Sequence, residues 1–292
     1  MSAMDRREFL AAAGSAATAL LASTPRLSAA EPPPPPAALL DTNVTLGRWP
    51  FRRLPLDDAP ALVAKLREQG VTEAWAGSFD ALLHKDLSAV NTRLADECRA
   101  SGEVLVPFGA INPLLPDWEE DLRRCAEVHR MRGIRLHPNY HGYALSDPPF
   151  APLLDAATAR GLLVQISVIM EDERTLHPLV NVPATDTAPL AALLHERPAA
   201  RVQLLNAFRT LRGKPLVDLA AAGARFEIAM LEGVEGITKL LAQIEVDRLC
   251  FGSHAPFFYF ESAALKLKES VLTAAQLRAI SADNARRFLS TR

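Results

Sequence analysis

The sequence predicts an α/β fold, a (β/α)8 barrel of the TIM type with extra helices at its C-terminus. Eight short apolar stretches alternate with amphipathic stretches of helical periodicity, which is the order of successive parallel βα units. Polar residues stand at the ends of the apolar stretches, where this fold carries its active site. The chain after residue 37 has about the length of one such barrel, for which roughly 250 residues is typical.

The eight predicted strands are mostly near-continuous apolar runs, as expected for parallel strands that are buried on both faces. They cover residues 38–46, 72–78, 105–111, 133–138, 162–168, 201–207, 225–231 and 248–254. The polar residues at or just beyond their C-terminal ends are Asn43, His137, Ser167, Glu171, Asn206, Glu232 and His254. These side chains are therefore the first candidates for a functional site.

Amphipathic helices are predicted between the strands, and two more follow the last strand. The helices between strands cover residues 58–69, 85–101, 117–130, 150–160, 187–196, 214–222 and 234–244. The C-terminal helices cover residues 260–270 and 274–289, and the second would cap or wrap the barrel. Glycines follow four of the helices, at the position where a left-handed C-cap is favoured: Gly70, Gly102, Gly161 and Gly223.

The N-terminal 30 residues are predicted to be an export signal of the twin-arginine (Tat) type. Arg6-Arg7 precede an apolar run over residues 11–22, and small residues at 28–30 suit cleavage. The alternative is an exposed N-terminus with a chance arginine pair. The run is too short for stable membrane insertion. A proline-rich linker, residues 31–37, precedes the barrel domain at 38–292. We therefore expect the Tat machinery as a partner and a periplasmic or secreted location.

Composition excludes several function classes. The formal net charge is only −2 and no basic stripe is present, so nucleic acid is not an expected partner. Neither a G-x-S-x-G elbow, a P-loop nor a dinucleotide fingerprint occurs. Cys98, Cys125 and Cys250 lack C-x-x-C spacing and are predicted to be free, buried thiols.

Four stretches resemble the amidohydrolase-related family of metal-dependent hydrolases, which includes a decarboxylase branch. They are residues 39–47 (LLDTNVTLG), 133–138 (GIRLHP), 251–256 (FGSHAP) and the closing helix at 280–289. The resemblance spans nearly the whole barrel domain and implies a TIM barrel that acts on a small molecule. It also implies a divalent metal, zinc or manganese, at the strand ends.

The expected metal ligands are substituted in this chain. Asn43 and Thr45 stand where the family has His-x-His, and Ser167 stands near a usual histidine. Asn206 follows the next strand, and His254 replaces the aspartate of the eighth strand. Because asparagine and threonine oxygens are poor zinc ligands, a metal could bind only at a rewired site.

Candidate catalytic residues are His137, His254, Glu171 and Asn43. The two histidines could transfer protons near neutral pH, or could bind a metal together with Glu232. The structural alternatives are a hydrogen-bonded His137, a loop-anchoring His254, a solvated Glu171 and a helix-start role for Glu232.

Four further residues are candidates for contacts with substrate: Tyr140, His141, Asn206 and Arg48. Tyr140 and His141 belong to a polar and aromatic loop after the fourth strand, and Arg48 follows the first strand. An arginine at the barrel mouth would suit a carboxylate, whereas a surface loop is the alternative for Arg48.

The leading functional hypothesis is an exported amidohydrolase-type enzyme that hydrolyses an amide, lactone or cyclic ester. One alternative is a decarboxylase of the same superfamily. The other is a non-catalytic barrel that binds a small molecule, which the loss of nearly every expected ligand favours.

Overall fold

The structure is a computed structural model that describes residues 38–290, with Glu173 described by its backbone only. Eight parallel strands lie side by side in sequence order, which confirms the predicted (β/α)8 barrel. The strands are β1 (Leu39–Leu46), β2 (Val71–Ser78), β3 (Leu105–Ala110), β4 (Gly133–Leu136), β5 (Leu163–Ser167), β6 (Val202–Leu205), β7 (Arg225–Glu227) and β8 (Leu249–Cys250). The predicted signal peptide and linker lie outside the described residues.

Helices follow every strand and cover the outside of the barrel. They are α1 (Ala59–Glu68), α2 (Leu87–Ala100), α3 (Trp118–Arg123), α4 (Pro138–His141), α5 (Phe150–Ala159), α6 (Leu190–Glu196), α7 (Gly213–Ala221), α8 (Gly236–Leu241), α9 (Phe260–Glu269), α10 (Ala274–Arg278) and α11 (Asn284–Ser290). Three differ clearly from the sequence prediction. The helices expected over 117–130 and 274–289 each contain a π-helical turn, at Arg124–Val128 and at Ala279–Asp283, and the short α4 was not predicted.

The barrel closes between β8 and β1 through a small number of backbone hydrogen bonds. Thr42 N–H donates to the Phe251 carbonyl at 3.0 Å, and His254 N–H donates to the Asn43 carbonyl at 2.8 Å. Thr45 N–H donates to the Ala255 carbonyl at 2.9 Å. Because β8 is only two residues long, most of this seam is formed by the residues that follow it.

The end of the chain supports the same seam. The Ile280 carbonyl accepts from Phe251 N–H at 2.8 Å. The Asn284 side-chain amide donates to the Leu249 carbonyl at 2.6 Å, and Phe288 packs with Cys250 at the base of the barrel. The C-terminal helices therefore close the barrel, as the sequence predicts.

Apolar side chains fill the layer between helices and strands, and a second apolar cluster fills part of the barrel interior. Trp75 and Phe108 stack inside this second cluster with ring centroids 5.0 Å apart. Cys98, Cys125 and Cys250 are buried free thiols, as predicted. In the part of the chain that the structure describes, no helix is long and apolar enough to cross a membrane.

Candidate functional site

An aromatic cap covers the C-terminal ends of the strands. Trp49 follows β1, Phe79 follows β2 and Phe257 follows β8, and their rings meet edge to face with centroids 4.9–5.5 Å apart. Such pairs contribute about 0.5–1.5 kcal/mol beyond simple burial. The remaining buried members of the cap are Leu54, Leu82 and Met170. The centre of the barrel mouth is therefore filled by apolar side chains.

Beneath the cap, two asparagines and a glutamate form a hydrogen-bonded layer across the barrel. The Asn43 amide donates to Asn206 Oδ1 at 2.9 Å and to Glu227 Oε1 at 3.3 Å. Glu227 also accepts from the backbone N–H groups of Asn206 (2.6 Å) and Ala229 (2.5 Å). The Asn206 amide donates to the Ile169 carbonyl at 2.8 Å. The polar groups of this layer are thus committed to one another and to the backbone.

His254 joins this layer from the end of β8. Its Nε2 donates to the Met170 carbonyl at 2.8 Å, and its ring stacks on Phe257 with centroids 5.2 Å apart. That bond leaves Nδ1 as the unprotonated nitrogen, which is buried and has no hydrogen-bond partner among the described residues. Burial lowers the pKa of His254 to about 4, against the usual 6.5, so the ring is neutral at pH 7.

His137, which is buried, and His141, which is half-buried, form an imidazole pair with ring centroids 6.0 Å apart. His141 Nε2 donates to the Ala81 carbonyl at 2.8 Å. Within the described chain, Nδ1 of His137 has no hydrogen-bond partner. Burial holds the pKa of His137 well below its usual value, and His141, Arg135 and His254 add to this effect. His137 and His254, the two candidate catalytic histidines, are therefore both neutral, and each is only 1% exposed.

A buried arginine lies among polar groups of the barrel interior. Arg135, on β4, donates to the Val44 carbonyl at 2.8 Å, the Trp75 carbonyl at 3.0 Å and the Gln165 side chain at 2.9 Å. Gly77 leaves room for it, because a Cβ there would lie 2.7 Å from the guanidinium. Desolvation lowers the pKa of Arg135 to about 10, so it remains charged at neutral pH.

Two buried carboxyl groups belong to the same polar layer. Burial raises the pKa of Asp41 to about 6 and that of Glu227 to about 7. Asp41 Oδ1 accepts from the backbone N–H groups of Asn43 and Ser253, each at 3.0 Å. Gly252 permits the position of Glu227, because a Cβ there would lie 2.6 Å from Oε2. Sequence reasoning missed Glu227, and its only signal was a carboxylate in a short apolar strand.

The predicted acidic candidates lie apart from the histidines. Glu171 is buried and forms an ion pair with Arg52, from the loop after β1. Glu232 has a half-exposed side chain and pairs with Arg209 at 2.9 Å. Neither forms a described contact with His137 or His254. The structure thus does not assemble His137, His254 and Glu232 into the candidate metal set.

The residues predicted to contact substrate also lie in different places. Tyr140 is half-buried and packs against the aromatic cap, and Arg48 is exposed. Asn206 lies in the hydrogen-bonded layer under the cap, whereas His141 is half-buried and bonds to the Ala81 carbonyl. Of the residues that the sequence singled out, Asn43, Asn206 and His254 are brought together most closely, since all three share hydrogen bonds.

The donor chemistry of Asn43, Thr45 and the His254 Nε2–H does not fit a divalent metal, and the unpartnered lone pairs nearby, on His137, His254 and Asp41, form no metal-holding group in the described chain. Asn43 and His254 present N–H donors to their neighbours, and the Thr45 hydroxyl accepts from the Arg135 cation at 3.3 Å. A metal needs three or four lone-pair donors that converge without a competing cation. Over residues 38–290, no group of three or more His, Cys, Asp or Glu side chains is arranged to hold a metal.

Beside the cap, a cavity of about 380 Å³ opens between the loops that follow β5, β6 and β7. We call this the rim pocket. Its lining residues are Ile169, Glu171, Leu176, Asn181, Val182, Pro183, Ala184, Arg209, Thr210, Arg212 and Glu232. Its volume is within the range of small-molecule sites. The open space at this end of the barrel is therefore displaced from the strand ends.

No curated protein sequence matches this chain. Solved structures with the same fold include several decarboxylases, among them these three. A 2,6-dihydroxybenzoate decarboxylase from Rhizobium has a TM-score of 0.65 and 16% identity, over 87% of this chain and 98% of that one. A manganese-bound 5-carboxyvanillate decarboxylase from Novosphingobium aromaticivorans has a TM-score of 0.66 and 13% identity, over 88% and 98%. A manganese-bound dihydroxybenzoic acid decarboxylase from a Polaromonas species has a TM-score of 0.65 and 15% identity, over 87% and 97%.

At these identities the likeness shows the fold alone, and the family follows from the sequence itself. The family model described as amidohydrolase matches residues 45–291, which is most of the chain. The match includes β2 to β8 and the C-terminal helices, and it contains three of the four stretches that carry the resemblance; the first, residues 39–47, overlaps it only at its end. The chain is therefore a member of the amidohydrolase family.

Proposed function

We propose that this chain is a small-molecule-binding barrel whose strand ends do not carry a metal-dependent active site. The observation that supports this most directly is the sealed layer under the aromatic cap. Asn43, Asn206 and His254 are each 1% exposed, and they share their hydrogen bonds with one another and with backbone carbonyls. Metal-dependent hydrolysis needs a water on a metal that is held by converging lone pairs. The lone pairs left open here, Nδ1 of His137 and Nδ1 of His254, are not arranged as a metal-binding group in the described chain. A binding role does not need such a group.

A decarboxylase is the second candidate, and it has better support than the hydrolase that the sequence favoured. The three solved structures described above are named as decarboxylases of aromatic acids. Arg209 and Arg212 line the rim pocket, and guanidinium groups suit a carboxylate. In this second candidate, His137 or His254 would transfer a proton once the cap moved, and Glu171 would assist.

Metal content and turnover together test the proposal. We expect the chain, purified without chelator from cells grown with zinc and manganese, to contain far less than one metal ion per chain. A His137→Gln/His254→Gln variant should contain the same amount, because neither imidazole holds a metal. Inductively coupled plasma mass spectrometry provides the measurement. Stoichiometric metal that disappears in the variant would overturn the proposal and establish a rewired metal site.

Turnover is measured on the same two proteins. Hydroxybenzoates are assayed for release of carbon dioxide, and lactones and amides are assayed for ring opening or amine release. We expect no turnover above that of the double variant. Carbon dioxide release that the variant lacks would support the decarboxylase instead, and hydrolysis that the variant lacks would restore the hydrolase hypothesis.

We also propose that the chain is exported through the twin-arginine route to the periplasm or beyond. The order of Arg6-Arg7, the apolar run and the small residues at 28–30 supports this. Replacing both arginines by lysine should retain the full-length chain in the cytoplasm, because the receptor reads the arginine pair. Cell fractionation with immunoblotting checks this, and an Arg26→Lys variant is the control. Unchanged export of the twin-lysine variant would exclude the route.

A further inference from the structure

The rim pocket holds two arginines that differ in how they are paired. Arg209 lies between two loops, with Asp172 at 3.2 Å and Glu232 at 2.9 Å, and its side chain is 20% exposed. Arg212 is exposed, and among the described residues no carboxylate lies within ion-pair distance of it. Arg209 is therefore a fixed part of the wall, while Arg212 is available to an incoming anion.

The two carboxylates of the lining are already neutralised. Glu171 pairs with Arg52, which reaches it from the loop after β1, and Glu232 pairs with Arg209. An anionic ligand in this pocket would therefore not face an unpaired negative charge. The guanidinium of Arg212 can offer two parallel N–H donors, a geometry that matches a carboxylate.

The rest of the lining is suited to an apolar body. Ile169, Leu176, Val182 and Pro183 provide aliphatic surface, and the side chains of Asn181 and Thr210 provide polar atoms at the wall. Small-molecule sites commonly combine such a lining with a few placed polar groups.

We propose that the rim pocket binds a small monocarboxylate with an apolar body, whose carboxylate is held by Arg212. This inference rests on the proposed binding function and names its ligand class and its location. The ligand occupies the space between the loops after β5, β6 and β7, and it leaves the sealed layer under the cap undisturbed.

Isothermal titration of the intact chain with benzoate, as the probe, tests the site. We expect saturable binding, weakened about tenfold or more in an Arg212→Gln variant, because a hydrogen bond to a charged group is lost. Benzamide has the same ring without the charge. It should bind the unmodified chain at least as weakly as benzoate binds the Arg212→Gln variant. Equal affinity for benzamide and benzoate would overturn the carboxylate assignment.

A Lys214→Gln variant is the matched control. Lys214 is two residues further along, is highly exposed, pairs with Asp218 and does not line the pocket. The Lys214→Gln substitution removes one positive charge, as Arg212→Gln does. Its benzoate affinity should stay within about twofold of that of the unmodified chain. An equal loss in both variants would show long-range attraction only and would overturn the proposal. Absence of saturable binding to a folded chain would overturn it as well.

The outcome is separable from that of the proposed function. Metal-free protein without benzoate binding would leave the sealed strand ends standing and remove the rim pocket as the ligand site. Benzoate binding to a chain that also holds stoichiometric metal would keep the rim pocket and remove the proposal about the strand ends. Melting temperatures of both variants confirm that they are folded.

Discussion

Replacing Arg135 by leucine is expected to lower the free energy of unfolding by about 3–5 kcal/mol at pH 7, the usual cost of removing one partner from a buried charge network. The substitution leaves the carbonyls of Val44 and Trp75 and the side chain of Gln165 without their donor. It also removes the cation that favours ionisation of Asp41. Urea unfolding followed by circular dichroism measures the change.

The difference in free energy of unfolding between the Arg135→Leu variant and the unmodified chain should be smaller at lower pH. Asp41 and Glu227 have raised pKa values of about 6 and about 7, so both are largely protonated at pH 5 in the folded chain. Without their charges, the loss of Arg135 leaves fewer unpaired ions behind. We expect a smaller difference between variant and unmodified chain at pH 5 than at pH 7. A difference that grows as pH falls would contradict this account of the layer.

Arg93→Leu is the control for charge removal at the surface. Arg93 pairs with Asp80 at 3.1 Å, and both side chains are more than 40% exposed. Exposed ion pairs contribute about 0–1 kcal/mol, so this variant should unfold close to the unmodified chain. If Arg135→Leu were as mild as Arg93→Leu, the buried network would not contribute measurably to stability.

Between pH 6.5 and pH 4.5, His254 is expected to lower the free energy of unfolding by about 2–3 kcal/mol, and replacing it by glutamine should remove this decrease. The folded pKa of His254 is about 4 and the unfolded value is 6.5. In that window the unfolded chain binds a proton that the folded chain excludes. The free energy of unfolding therefore falls as pH falls, and glutamine, which does not titrate, lacks this contribution.

The other buried groups act in known directions over the same range. His137, whose pKa is also lowered, destabilises the fold as pH falls. Asp41 and Glu227 have raised pKa values, so the fold regains stability as they take up protons between about pH 7 and pH 4. The carboxyl contributions remain in both proteins, so the difference between the His254→Gln variant and the unmodified chain reports on His254 together with the smaller effect of His254 on the pKa of His137.

The measurement is urea unfolding at half-unit pH steps, with His84→Gln as the control. His84 is exposed, so its replacement should leave the pH profile unchanged. Parallel profiles for the His254→Gln variant and the unmodified chain would show that His254 is not held neutral by burial.

The fold was predictable from the sequence because its signals are local. Apolar runs mark the strands to within a few residues, and Gly70, Gly102, Gly161 and Gly223 all adopt the positive φ that the C-cap prediction requires. The strand-end positions of His137 and His254 follow from the same pattern, since a strand's end is fixed by its run of apolar residues.

The contents of the barrel mouth were not predictable in the same way. Trp49, Phe79 and Phe257 lie far apart in sequence, and the packing of these three rings depends on three loops at once. The ion pair of Arg52 with Glu171 likewise joins two loops that no local pattern connects.

The seam between β8 and β1 has a consequence for how the chain is made. Phe251 N–H donates to the Ile280 carbonyl, and the Leu249 carbonyl accepts from Asn284, so the seam has partners that are synthesised after all eight strands. A nascent chain that ends before residue 274 lacks these partners. Its seam is held only by the direct bonds between β1 and the residues around β8, and a seam that opens exposes sheet edges on which strands of separate chains can pair. Synthesis of residues 280–284, more than the number of strands already formed, therefore sets when this seam is fully protected from self-association.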